Sequence, residues 1–231
     1  MKVFGLIQAR MASSRLPGKV MMPLAGIPLF LHIHARLQRV RGIDGVILAT
    51  TADAANDPMT ELAERHGLLV VRWPQEDDIV GRLNAACRHS DADALLKVNA
   101  DCPLIDPMVV QQVLDEFLAA DDADFASNKI EPSFPLGYSV ELVSARALRW
   151  CDANLVDDED RELVIKWIMD RPEQFAAVSV RSAVDRSDLD LTVDTPEDFA
   201  EVAGIFDALF AKDPHFGLAD VLELLDKHPR C

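Results

Sequence analysis

The chain has 231 residues, of which 49% are hydrophobic and 27% charged, and its formal net charge is −16 at pH 7. This composition is typical of a globular protein and excludes a chain that is mainly disordered. Because so acidic a molecule repels polyanions, the charge argues against nucleic acids and anionic membranes as partners. A local cluster of arginine and lysine is therefore informative, since it opposes the field of the whole molecule.

The cysteines and the apolar segments indicate a cytoplasmic protein. Cys87, Cys102, Cys151 and Cys231 are far apart, and without a C-x-x-C pair they indicate neither a zinc ribbon nor a thioredoxin-like site. The apolar start of the chain is too short for a signal peptide, and prolines interrupt the apolar stretch at residues 20–30. We therefore expect reduced thiols and no membrane span.

Short apolar runs alternate with amphipathic segments in the first half of the chain. The runs are continuous rather than alternating, which is typical of parallel strands that are buried on both faces. Repetition of strand, helix and strand predicts βαβ units, and therefore a parallel sheet with helices on both sides. The predicted strands are 3–8, 45–51, 68–72 and 94–99, and the predicted helices between them are 28–39, 54–66 and 78–89.

The rhythm changes after residue 106. A Pro-rich loop at residues 131–137 separates short apolar runs, and more of the chain is helical. We expect this half to complete the same sheet rather than to form an independent domain, so that residues 1–231 form one domain. The predicted helices are 107–119, 145–155, 160–170, 196–210 and 218–227, and the predicted strands are 124–127, 138–143 and 177–181, followed by an apolar run at 189–193.

The first segment that indicates chemistry comes directly after the first predicted strand, where open α/β sheets bind their ligands. Residues 7–19 contain Arg10, Arg15 and Lys19, together with serines and a glycine that expose N–H donors. Such a loop suits phosphate oxygens. It lacks the first glycine and the final Ser or Thr of a Walker A loop, and the chain contains no G-x-G-x-x-G. A solvated basic surface loop explains the composition equally well.

Two aspartates follow predicted strands without an evident structural role. Asp101 comes after the strand at 94–99, and Asp194 ends a second apolar run. Their neighbours are explained more simply, because Asp106 and Thr195 each precede a proline and a predicted helix and so resemble N-caps. Carboxylates at strand ends can hold a divalent cation against phosphates.

Short blocks along the chain match one family in order. They are IQARMASSRLPGK at 7–19, PLAGIPL at 23–29, EDD at 76–78, ADCPLID at 100–106, GYSVE at 137–141, DRE at 160–162 and LTVDTPEDF at 191–199. This order resembles the CMP-sugar cytidylyltransferases that include CMP-KDO synthetase and acylneuraminate cytidylyltransferase, and especially the spore-coat polysaccharide biosynthesis protein F branch. The resemblance implies a Rossmann-like, GT-A-like three-layer sandwich with a mostly parallel sheet.

The same resemblance implies roles for individual residues. Those expected to bind the nucleotide are Gln8, Ala9, Arg10, Ser14, Arg15, Lys19, Asp77, Asp78, Arg82 and Asp101, of which Arg10, Arg15, Lys19 and Asp101 are also expected to be catalytic. Those expected to bind the acceptor are Gly137, Tyr138 and Glu141. Those expected to hold Mg²⁺ are Asp101 and Asp194.

The implied activity is transfer of CMP from CTP to a sugar, with an acidic sugar favoured, and release of pyrophosphate in the synthesis of a surface polysaccharide or glycan. Residues 1–106 would bind the nucleotide, and residues 107–231 would bind the acceptor and form a homodimer. One alternative is another nucleotide or acceptor, such as a sugar phosphate or a phosphonate. Another is a catalytically silent nucleotide-binding subunit of a glycan-assembly complex, because Leu163 and Ile165 replace the histidine and threonine usual in this branch.

Overall fold

The computed structural model describes residues 1–227. Its strands are β1 (Val3–Gln8), β2 (Pro23–Leu24), β3 (Ile27–Pro28), β4 (Gly45–Thr51), β5 (Leu69–Trp73), β6 (Ala94–Asn99), β7 (Phe125–Ser127), β8 (Glu141–Ser144) and β9 (Ala177–Ser179). Within these residues, seven strands form one sheet in the order β5-β4-β1-β6-β8-β7-β9, while β2 and β3 form a hairpin. Only β8 is antiparallel to its neighbours in the large sheet, which confirms the predicted mostly parallel arrangement.

Helices cover both faces of this sheet. They are α1 (Leu29–Leu37), α2 (Asp57–Arg65), α3 (Ile79–Ser90), α4 (Pro107–Ala119), α5 (Ala145–Asn154), α6 (Asp158–Glu162), α7 (Val164–Met169), α8 (Pro196–Leu209) and α9 (Leu218–Lys227). One apolar core lies against α1, α2, α4, α8 and α9, and a second core on the opposite face lies against α3, α5 and α7. The predicted three-layer sandwich is therefore confirmed.

The two cores explain why the apolar runs are continuous. Along β1, Val3 and Ile7 belong to one core, whereas Phe4 and Leu6 belong to the other. Successive side chains of a strand point to opposite faces, so a strand with helices on both sides is apolar at every position.

The predicted strand at 138–143 begins only at Glu141. The side chain of Asn128 binds the preceding backbone, because its Nδ2 donates to the carbonyl of Tyr138 at 2.7 Å and its Oδ1 accepts the N–H of Val140 at 2.9 Å. These backbone groups are therefore bound to a side chain instead of a neighbouring strand.

Some predicted helices also differ from the structure, and two of them do so for evident local reasons. The first begins at Leu29 because the β2–β3 hairpin precedes it, with positive φ angles of 45° at Ala25 and 80° at Gly26. The second, predicted at 160–170, is divided at Leu163 into α6 and α7.

The local roles expected for Asp106 and Thr195 are confirmed. Asp106 accepts the N–H of Met108 at 2.7 Å and caps α4, while Thr195 and Asp198 form a capping box at the start of α8. The apolar run at 189–193 forms only an isolated bridge within the described chain.

Cys87, Cys102 and Cys151 are buried free thiols, and burial raises the pKa of Cys87 and of Cys151 to about 12. Cys231 lies outside the described residues. No helix within residues 1–227 is long and apolar enough to cross a membrane.

Candidate active site

A cleft of about 370 Å³ opens where β1 and β6 end. Parallel strands end at the same edge of the sheet, so segments that are far apart in the sequence meet there. The structure brings most of the predicted site residues to this edge cleft, namely Gln8, Ala9, Arg10, Ser14, Arg15, Lys19, Asp77, Arg82, Asp101 and Asp194.

Residues 10–19, the basic arm, fold back on themselves directly after β1. The carbonyl of Met11 accepts the N–H of Gly18 at 2.9 Å, and the N–H of Met11 donates to Oδ1 of Asn56 at 2.8 Å. Gly18 has a φ of 73°, which glycine adopts without strain, and it turns the chain into a short 3₁₀ helix at Lys19–Met21. These bonds fix the base of the arm beside the edge cleft.

The cations of the basic arm are paired with carboxylates of the same cleft. Arg10 forms an ion pair with Glu76. Asp194 accepts from both Arg15 Nη2 and Lys19 Nζ, each at 2.8 Å, and Lys19 also donates to the carbonyl of Val193. A polyphosphate that bound Arg10, Arg15 and Lys19 would therefore have to displace the carboxylates of Glu76 and Asp194.

Asp101 and Asp194 line the edge cleft from two different segments. The N–H of Val193 donates to the backbone carbonyl of Asp101 at 2.8 Å and holds the two segments together. Within residues 1–227, no group of three or more histidine, cysteine or acidic side chains is arranged to hold a metal. Two carboxylates nevertheless fit Mg²⁺, which takes few protein ligands and completes its shell with phosphate and water.

Arg82 is a buried cation in the wall of the edge cleft. Its Nη2 donates to the backbone carbonyls of Gln75 and Glu76, whereas its Nε has no hydrogen-bond partner among the described residues. Burial lowers the pKa of Arg82, and the nearby charge of Arg10 lowers it further. An anion between the two guanidinium groups would relieve their repulsion and satisfy the free N–H.

Asp78, which is expected to bind the nucleotide, does not line the edge cleft. Its carboxylate accepts the N–H of Gly81 at 3.0 Å as the N-cap of α3, and it also binds Trp73 Nε1 and Arg161 Nε at 2.9 Å. Burial alone would raise the pKa of Asp78, but these hydrogen bonds outweigh it and lower the pKa below its usual value. Its donors thus assign Asp78 to local structure.

The sequence model of one protein family matches nearly the whole chain. The model of the cytidylyltransferase family matches residues 4–223. The chain belongs to the cytidylyltransferase family. It is therefore a CTP-dependent nucleotidyltransferase of a family that acts on sugars.

Individual relatives of this cytidylyltransferase agree with the assignment. Spore coat polysaccharide biosynthesis protein SpsF of Bacillus subtilis is 25% identical over 97% of this chain and 94% of its own. The 3-deoxy-manno-octulosonate cytidylyltransferase 2 of Hydrogenovibrio crunogenus is 31% identical over 68% of this chain and 61% of its own. A cytidylyltransferase from Leptospira borgpetersenii has a similar structure, with a TM-score of 0.92, 28% identity, and coverage of 99% of this chain and 95% of its own.

Glu141, expected to bind the acceptor, is instead buried between two lysines in this cytidylyltransferase. Its carboxylate accepts from Lys97 Nζ at 2.6 Å and from Lys129 Nζ at 2.8 Å. Burial alone would raise the pKa of Glu141, but the two ammonium groups lower it to about 2. Lys97 also donates to Oδ1 of Asn99, which lines the edge cleft, so the influence of Glu141 on the cleft is indirect.

Gly137 and Tyr138 are also outside the lining of the edge cleft. A Cβ atom at Gly137 would lie 2.7 Å from the carbonyl oxygen of Leu191, and the φ of Gly137 is 96°, so the backbone itself requires glycine here. The side chain of Tyr138 is fully buried in the core. None of the three residues expected to bind the acceptor therefore lines the edge cleft.

The edge cleft contains residues that the sequence reasoning did not assign to the site. Glu76, Asn99, Glu162 and Leu163 line it, and Leu163 leaves 46% of its surface exposed. Glu76 belongs to the EDD block at 76–78. Its ion pair with Arg10 joins residues that are 66 positions apart and has no local signal in the sequence. Lys97 interrupts an otherwise apolar strand. A lysine at such a position indicates a buried carboxylate partner, which here is Glu141.

Proposed function

We propose that this cytidylyltransferase transfers CMP from CTP to an acidic sugar, releasing pyrophosphate, and that the product is used to build a surface polysaccharide or glycan. One observation carries this proposal: the basic arm and the two carboxylates, Asp101 and Asp194, line one cleft at the carboxyl edge of the sheet. The Hydrogenovibrio crunogenus relative is a 3-deoxy-manno-octulosonate cytidylyltransferase, and this acidic sugar favours an acidic acceptor here.

In the proposed mechanism the basic arm binds the triphosphate. Arg10, Arg15 and Lys19 exchange their present carboxylate partners for phosphate oxygens, while Gln8 and Ala9 at the end of β1 lie beside the cytosine. The acceptor oxygen attacks the α-phosphorus in line, the bond to the β-phosphate oxygen breaks, pyrophosphate leaves, and the proton of the acceptor hydroxyl passes to solvent. Catalysis consists mainly of positioning and of neutralising the charge on the phosphates.

The metal of this proposal is Mg²⁺, held by Asp101 and Asp194. When bound, it supplies positive charge at the reacting phosphates. The side chains fit this role because their oxygens are hard ligands that line the same cleft as the basic arm. Asp194 must first release Arg15 and Lys19, and the phosphates that accompany the metal offer those cations new partners.

We further propose that residues 1–106 bind the nucleotide and that residues 107–231 bind the acceptor and form a homodimer. Most of the lining of the edge cleft comes from the first part, and the second part adds Glu162, Leu163 and Asp194. Light scattering after gel filtration tests the dimer. The proposed location is the cytoplasm, where CTP is available.

A pyrophosphate-release assay tests the activity. The wild-type chain is incubated with Mg²⁺, with CTP or UTP, and with acidic sugars, neutral sugars, sugar phosphates and phosphonates in turn. We expect release only with CTP and an acidic sugar. Release with another class of acceptor would contradict the acceptor proposal, and tight CTP binding without turnover on any acceptor would favour the silent subunit that Leu163 suggests.

A further inference from the structure

A second cavity, of about 340 Å³, lies beside α1. We call it the α1 cavity; its apolar wall is formed by Ile27, Leu31 and Phe210, and its rim includes Ala35 and Arg39. None of its lining residues lines the edge cleft. Its volume lies within the range of small-molecule sites, roughly 300–1,000 Å³. The cavity is therefore a separate feature of the molecule, of a size that suits a small ligand.

The charge around the α1 cavity is unusual for this chain. The whole sequence has 39 acidic residues against 23 lysines and arginines, yet no described residue lining the cavity is acidic. Arg36 also lines the cavity, and its guanidinium is buried near Asp106, 4.5 Å from the centroid of the Phe216 ring. Arg39 donates to the carbonyl of His215 at 3.4 Å and stays exposed. An anion would thus meet positive charge here without displacing a carboxylate from the lining.

A buried histidine of the α1 cavity has an unused hydrogen-bonding atom. His34 lines the cavity and is 6% exposed, and its Nδ1 has no hydrogen-bond partner within residues 1–227. Burial lowers the pKa of His34, and the backbone of His66 opposes this shift. Buried polar atoms rarely lack a partner, so a hydrogen-bonding group that reached this nitrogen would satisfy it.

We propose that the α1 cavity is a second binding site, for a small organic anion that combines an apolar ring with one hydrogen-bonding group. The ring lies against Leu31 and Phe210, the hydrogen-bonding group lies beside His34, and the anionic group lies towards Arg39 and His66. This site is independent of the nucleotide chemistry of the edge cleft.

Fluorescence titration of the full chain with 8-anilinonaphthalene-1-sulfonate tests the proposal, because this probe carries apolar rings, an N–H and a sulfonate. N-phenyl-1-naphthylamine has the same rings and N–H without the sulfonate and serves as the matched probe. Excess CTP with Mg²⁺ occupies the edge cleft. We expect one saturable site for the sulfonate that CTP does not displace, with affinity about fivefold above that of the neutral probe, as one exposed charge contact allows.

Substitutions then locate the bound probe. Arg39→Gln should weaken the sulfonate about fivefold and leave the neutral probe unchanged. Ala35→Glu, which brings a side chain and a negative charge to the rim, should weaken both. Arg88→Gln removes an exposed arginine from α3 on the opposite face of the sheet, and it should change neither. Circular dichroism checks that each variant is folded.

Three results would overturn the proposal. The first is equal affinity of the wild-type chain for the two probes, which indicates an apolar surface only. The second is displacement of the sulfonate by CTP, which assigns the probe to the edge cleft. The third is the same effect of Arg39→Gln and Arg88→Gln, which indicates a general response to net charge.

Discussion

Replacing Glu76 with glutamine should tighten the binding of CTP. In the free enzyme Glu76 is the ion-pair partner of Arg10, and both residues line the edge cleft. The substitution removes the competing carboxylate and keeps the size of the side chain. Arg10 is then available to the phosphates without first breaking an ion pair.

The exposure of the pair limits the size of this effect. The side chains of Arg10 and Glu76 are 48% and 52% exposed, so solvent screens their attraction. Ion pairs of this kind contribute about 0.2–1 kcal/mol. Freeing Arg10 should therefore lower the dissociation constant of CTP by up to about fivefold at low ionic strength, and by less as salt is added.

Calorimetric titration with CTP, and with cytidine as the ligand that lacks phosphates, measures this effect. Glu64→Gln is the matched control, because Glu64 is an exposed glutamate of α2 outside the edge cleft and its loss changes the net charge equally. Only Glu76→Gln should tighten CTP, and neither variant should affect cytidine. Weaker binding by Glu76→Gln would refute the reasoning, because it would mean that Glu76 holds Arg10 in the productive position.

Four further predictions concern the remaining charges of the site. Arg15→Ala should weaken CTP by about 1.5–3 kcal/mol in calorimetry and leave cytidine unchanged; an equal loss for both ligands would mean that Arg15 acts through the fold. Asp101→Asn and Asp194→Asn should each reduce pyrophosphate release at saturating CTP by at least ~100-fold while circular dichroism stays unchanged, and near-normal turnover would remove that residue from the metal site. Removing Mg²⁺ with a chelator should weaken CTP more than cytidine in the same titration, and equal affinities with and without the metal would contradict the proposed site. Glu141→Gln should destabilise the protein by about 3 kcal/mol at pH 7 in denaturant unfolding, because it leaves Lys97 buried without a carboxylate. The pKa of Glu141 is about 2 in the folded chain, below its unfolded value. Its stabilisation is therefore complete above the unfolded pKa and is lost as the pH falls towards 2, a decline that Glu141→Gln should lack.

The sequence was sufficient to locate the sheet edge and the residues that follow its strands. Uninterrupted apolar runs identified the parallel strands, because each of these strands is buried on both faces. Capping chemistry then separated Asp106 and Thr195, which have local roles, from Asp101 and Asp194, which line the edge cleft. The capping step succeeded because it depends on near neighbours in the chain, and the strand step succeeded because burial on both faces leaves an uninterrupted apolar run.

The pairing of charges across the edge cleft could not be predicted in this way. Arg10 and Glu76 are 66 positions apart, and Lys19 and Asp194 are 175 positions apart, so only the folded chain determines that they meet. The burial of Tyr138 and Glu141 could not be predicted for a related reason. Family resemblance identifies a matching block of residues. It does not show which side chains of the block reach a cleft and which, such as Glu141, are buried.

The charge balance of the edge cleft links the basic arm to the metal. Four described residues of its lining are cationic and five are acidic, so the arm does not make the cleft positive overall. A triphosphate that entered alone would leave several carboxylates close to its own charges, in a chain whose net charge is −16. A divalent cation held by Asp101 and Asp194, as proposed above, would offset this repulsion, and it would offer Asp194 a partner when Arg15 and Lys19 turn to the phosphates. The nucleotide and the metal should therefore bind together, because each supplies the charge that the other requires.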